Sequence, residues 1–156
     1  MTTYYIESVG GVAGDMLLAA LIDVGAHEAT IRQAYAPLTD RGLTLKIEPV
    51  RVQGESALYV HSLAHDPMHH QHHFDEVVQT IELLPISATA KNRALAIFRI
   101  VVAAESEVHQ EPQEHVHLHE VGEIDSVMDI VGISVALDTL GNPELLCSPL
   151  PQSSGY

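Results

Sequence analysis

The sequence predicts a mixed α and β fold, a small mixed sheet with several packed helices, two of them largely buried. Three observations carry that prediction. The opening Thr2-Thr3-Tyr4-Tyr5-Ile6 is β-branched and aromatic, the composition of a strand. The stretch from Leu43 alternates apolar and polar residues at the period of a strand. Segments around 88–109 and 120–139 instead repeat apolar residues at helical spacing.

The elements follow in order. The first strand runs into a glycine turn, Gly10-Gly11-Val12-Ala13-Gly14-Asp15. Met16 to Ile22 is apolar all round, which predicts a fully buried helix, and Gly25 stops it as a left-handed cap. A second helix over about 27–36 should end before Pro37, whose ring and missing N–H oppose a helix interior. Residues 43–62 read as a hairpin or two short strands about Gln53-Gly54, with Pro49 at an edge or bulge. Residues 64–73 have no period and form a His-rich loop. Helix resumes from Phe74 to about Leu84. Ser87 then caps a long helix with a stripe of Ala94, Phe98, Val101, Val102 and Val108. After a break at 111–114, a last helix over about 120–139 ends at Gly141-Asn142-Pro143, and Leu145-Leu146-Cys147 reads as a closing strand.

A chain of 156 residues fits a single module, 1–156. Seven Lys and Arg stand against 21 Asp and Glu, a net charge of −14, which excludes the basic clusters that nucleic acid and anionic membranes require. It favours cations. The apolar run from Ile130 to Leu137 is far short of the ~20 residues of a membrane span. A single cysteine, Cys147, excludes a disulfide framework within one chain; with no apolar leader, a cytoplasmic location is expected. Cys147 lies in an apolar segment without a base nearby, so it should be buried and inert.

Eleven histidines, most of them between His61 and His119, are the compositional outlier. His69, His70, His72 and His73 form one cluster, with His65 just before it. Neutral imidazole is a good ligand for nickel, zinc and copper, so the loop reads as metal capture, or else as a polar loop. The second group is His115-Val116-His117-Leu118-His119-Glu120. If extended, alternation puts its three histidines on one face; if helical, only His115 and His119 share one.

In the helix that follows, at roughly 100° per residue, Gly122, Asp125, Asp129, Gly132 and Ala136 fall on one stripe among apolar residues. A buried carboxylate pair is costly unless a cation or hydrogen-bond donors compensate it. Asp125 and Asp129 therefore read as partners of a metal or cationic ligand, or as acceptors for loop amides. The turn carrying Gly11, Gly14 and Asp15 could present amides to a phosphate, or be a tight turn with Asp15 at the positive end of a helix. It has neither the P-loop ending nor the dinucleotide spacing.

These segments, in this order, resemble the nickel insertion proteins of nickel-pincer cofactor biosynthesis, in their N-terminal part. The resemblance rests on Gly11-Val12-Ala13-Gly14-Asp15-Met16-Leu17 through Ala26, on the His-rich loop, and on Val116 through Gly132 with its His-Glu-Val-Gly-Glu-Ile-Asp-Ser core. Ser148-Pro149-Leu150-Pro151 adds to it. It implies insertion of nickel into pyridinium-3,5-bisthiocarboxylic acid mononucleotide with consumption of CTP, aided by magnesium or manganese, to build the cofactor of lactate racemase. His117, His119, Glu120, Asp125 and Asp129 would be the catalytic group, and Gly11, Gly14 and Asp15 would contact the mononucleotide. The metal would meet His69, His70, His72, His73, His117 and His119. Where the family has Ser-Gly-Ile-Ser-Gly-Asp, this chain has Gly10-Gly11-Val12-Ala13-Gly14-Asp15, so both serines are absent. The family's C-terminal nucleotide and nickel region is also missing from this sequence. The expected partner is that module, in another chain, and an uncovered apolar area is compatible with homo-oligomers. A non-catalytic His-rich nickel-delivery protein, or an inactive fragment, is the alternative reading.

Overall fold

The computed structural model describes residues 2–39, 42–64, 74–113, 116 and 124–151. Gln53 and Gly54 both take positive φ, 53° and 90°, the two-residue turn that matches the twist of paired strands. It closes a ten-residue antiparallel ladder between β2 (Leu43–Val52) and β3 (Glu55–Ala64). Pro49 sits opposite Leu58, tolerated because a two-stranded ladder leaves each strand an outer edge.

The mixed α/β class is as the sequence predicts, but the strands form two separate pairs rather than one sheet. The second pair joins β1 (Thr3–Ile6) in parallel to β4 (Glu144–Cys147), in the register Thr3↔Glu144 to Ile6↔Cys147. Glu144 N–H donates to the Thr2 carbonyl at 3.0 Å, and Ser148 N–H to that of Ile6 at 2.9 Å. Just beyond, the Ser148 hydroxyl accepts from the Ser8 N–H at 2.9 Å, and the two hydroxyls lie 3.1 Å apart. Cys147 is exposed, contrary to expectation, because among the described residues no helix packs broadly on β4.

Helix α1 (Gly14–Asp23) starts two residues earlier than the apolar run suggests. It buries Leu18, Ala19, Leu21 and Ile22 but leaves Met16 and Ala20 exposed, so it is one-sided. Gly25, at φ 113°, lets the Ala26 N–H bond the Leu21 carbonyl at 2.9 Å and ends the helix. At the other end, Ala13 has extended N-cap geometry (φ −96°, ψ 164°) and no side chain to accept a helix amide. The amides that a side chain there would take are served otherwise, the Met16 N–H donating to Asp15 Oδ1 at 2.7 Å, so Ala13→Ser should change stability by less than about 0.5 kcal/mol; a clearly higher denaturation midpoint would show an amide left open.

Helix α2 (Glu28–Thr39) continues through Pro37, against the sequence reading. Pro37 lies in the last turn, where only one ladder bond is lost. Helices α3 (Phe74–Leu83) and α4 (Ala88–His109) lie close to the expected bounds. The Ser87 hydroxyl accepts the Ala90 N–H at 3.0 Å and donates to Asp138 at 2.7 Å, tying the start of α4 to the end of α5 (Ile124–Thr139). Arg93 adds bonds to the Ser134 carbonyl (3.0 Å) and to Asn142 Oδ1 (2.5 Å). Ala94, Phe98 and Val102 face the core from α4, whereas Val108 is exposed.

Helix α5 is the centre of the core, packing on α1, α2, α4 and β3. Val127, Met128, Val131, Val135 and Ala136 are buried there with Leu18, Ile31, Ile81 and Phe98, and each of these side chains larger than alanine contributes roughly 1.5–3 kcal/mol by leaving water. Of the stripe predicted for this helix, Asp129 and Gly132 meet neighbouring helices, Asp125 is exposed, and Gly122 lies outside the described residues. A Cβ on Gly132 would meet the Tyr35 hydroxyl and lie 2.8 Å from Leu18 Cδ2. Tyr35, buried, donates from that hydroxyl to the Met128 carbonyl at 2.7 Å.

Candidate functional site

Asp129 lies one helical turn from Gly132, so the close crossing that Gly132 permits carries the Asp129 carboxylate to the start of α1. Gly14 is what lets it in: a Cβ there would stand 2.6 Å from Asp129 Oδ2 and 2.7 Å from its Cβ. The carboxylate accepts a hydrogen bond from the Asp15 N–H, one of the helix-start amides that the missing Ser at position 13 leaves without a side-chain cap. The positive end of the α1 dipole favours an anion at that place.

Two further carboxylates and an imidazole act on Asp129. Its pKa is pushed up from 3.8 to about 6, first by burial and then by the charges of Asp15 and Asp125. The Asp15 N–H and His61, on β3, pull the other way. Asp15 and Asp125 each turn one oxygen back to the next residue's N–H, Met16 and Ser126, both at 2.7 Å. The expected buried pair is thus corrected. Asp129 is half-buried, whereas Asp125, in the first turn of α5, is exposed. Burial and the nearby Asp129 charge also raise the Tyr35 phenol above its ordinary range, so it stays a neutral donor.

Gly11, at φ 91°, lies in the loop from β1 to α1 and bridges to Val9, with open space where a Cβ would sit. The loop thus stands at the C-terminal end of the parallel strands, where α/β sheets bind ligands. His69, His70, His72, His73, His117, His119 and Glu120 lie outside the described residues, as do His65 and His115. Val116 is buried in the core. Among the described residues no three His, Cys, Asp or Glu side chains stand close enough to hold a metal ion. His61 was not among the residues singled out from sequence. Its only signal there was its place at the head of the histidine-rich stretch.

Carboxylates that repel one another at a helix start lower their energy by taking up a cation. Fold and site thus define an acidic α/β module in which Asp15 and Asp125 act on a half-buried Asp129 at the start of α1. Comparison with known proteins makes that class specific. Residues 4–156 match the family described as nickel insertion protein. A Geotalea daltonii protein named for nickel insertion is 37% identical over 158 residues, spanning all of this chain and 40% of that protein. A Myxococcus xanthus protein with the same kind of name is 37% identical over 97% of this chain and 39% of its own. The pyridinium-3,5-bisthiocarboxylic acid mononucleotide nickel insertion protein of Staphylococcus epidermidis is 35% identical, over 97% of this chain and 39% of its own. The chain belongs to the nickel insertion protein family. It spans about two-fifths of the length of these relatives. No solved structure matches it.

Proposed function

We propose that this chain is the module of a nickel-inserting protein that receives the ion and positions it for insertion into pyridinium-3,5-bisthiocarboxylic acid mononucleotide. The observation that supports it is the Asp129 carboxylate, held at the start of α1 beside Asp15, Asp125 and His61 with its affinity for protons raised. What raises that affinity also favours a divalent cation as the neutralising charge. Nickel is the cargo here, and it accepts both imidazole and carboxylate. In this reading His69, His70, His72 and His73 collect the ion and pass it to His117, His119, Glu120, Asp125 and Asp129. Gly11, Gly14 and Asp15 border the mononucleotide. CTP, with its magnesium or manganese, is bound by the rest of the family's chain, and the finished cofactor goes to lactate racemase. No helix among the described residues is long and apolar enough to cross a membrane.

Isothermal titration with nickel tests the division of labour. Replacing His69, His70, His72 and His73 together by alanine should lower the number of ions bound while leaving a tighter site that Asp129→Ala removes. If the four substitutions abolish all binding, the chain is a delivery protein and the carboxylates are structural. Turnover of the mononucleotide when the rest of a relative's chain is supplied separates an enzyme component from a store.

A further inference from the structure

The β1–β4 pair is a parallel sheet that is not finished. Parallel sheets are stable where both faces are covered, because their crossovers bring helices to each side. Among the described residues neither strand packs broadly on anything but the other, and every residue of β4 is exposed. Paired residues of parallel strands share a face, so Tyr5 and Leu146 lie together on one side, 63% and 50% exposed. Val9 follows β1 and Leu150 follows β4, both more exposed still. The Ser8–Ser148 bonds hold these two exits side by side. The bonds from Glu144 and Ser148 to β1 fix the phase of the ladder: Leu146 also points inward, while the N–H groups of Leu145 and Cys147 point away along the open edge. Such an edge is a template for another strand.

We propose that a β-strand from the part of the nickel insertion chain lying outside this stretch adds to the open edge of β4 and covers the Tyr5–Leu146 face. Two observations select that occupant. The greater part of each relative lies outside the match, so the chain to fill the place exists within the family. A second copy is the competitor, and a net charge of −14 on each copy opposes it. Neither Tyr5 nor Leu146 is among the groups that act on Asp129, so the proposal does not rest on the function proposed above.

The test is amide hydrogen exchange on this chain alone and on a chimera in which it replaces the matched stretch of the Geotalea daltonii protein. Joining the parts in one chain removes any dependence on concentration. The amides of Leu145 and Cys147 should exchange at least about tenfold more slowly in the chimera. Leu146→Glu should return them to the rate of the chain alone, whereas Leu83→Glu, on a more exposed site of α3, should not. Should the chimera fail to fold, the intact Geotalea daltonii protein is measured instead, and its matching strand should be protected. Equal rates with and without the rest of the chain would overturn the proposal. So would sedimentation of the free chain as a dimer that Leu146→Glu splits, since the second copy would then be the occupant.

Discussion

Gly132→Ala should destabilise the protein by about 3 kcal/mol or more, a large share of the 5–15 kcal/mol that holds a domain together. The added methyl would coincide with the Tyr35 hydroxyl and press on Leu18. Leu18 can yield at the end of its side chain. Tyr35 cannot yield without breaking its bond to the Met128 carbonyl, which would leave a buried phenol unpaired at a cost of roughly 1–3 kcal/mol. Chemical denaturation measures the loss, and a double-mutant cycle locates it. Tyr35→Phe alone should be mildly destabilising, yet in the Gly132→Ala background it should recover at least about 1 kcal/mol. Strict additivity would mean that the methyl meets something other than the hydroxyl.

Asp129→Asn should make the fold more stable near neutrality while weakening nickel binding about 10- to 100-fold, the usual range for a group that supports a metal site. The Asp129 pKa is raised in the folded state, from 3.8 to about 6, so ionising it opposes folding. Its stabilising contribution is complete below pH 3.8 and disappears as pH rises through 6. Partial contact with solvent limits the effect to about 1 kcal/mol. Asparagine keeps an oxygen for the Asp15 N–H and removes the charge. Wild-type stability measured from pH 8 to 5 should therefore gain relative to the variant, whose profile lacks this contribution. Parallel profiles would show that the carboxylate ionises in the fold as easily as out of it.

Local rules made much of this architecture legible. Gln53-Gly54 marked the hairpin, Ser87 the start of α4, and Gly25 the end of α1, because each acts within a few residues of itself. What failed depends on neighbours distant in sequence. An apolar run such as Met16 to Ile22 says only that burial is available; here one side of α1 finds no cover. Cys147 was misjudged for the same reason. The carboxylate stripe of α5 was readable as a stripe, and its Gly132 does meet Leu18 of α1 and Tyr35 of α2. Its meeting with Asp15 was not readable, because it depends on how two helices cross. His61 was equally hidden: a lone histidine in a strand has no spacing to announce it.

The pairing of β1 with β4 also bears on how the molecule is made. The strand at residues 3–6 finds its partner only at 144–147, so its hydrogen bonds close a loop of almost the whole module. Loop-closure entropy makes such a contact late. On a ribosome, the β2–β3 hairpin and the helix pairs can form as they emerge, while β1 waits for β4. The Ser8–Ser148 bonds then act as a late latch, and the strand at residues 3–6 stays without its partner until residues 144–147 have been made.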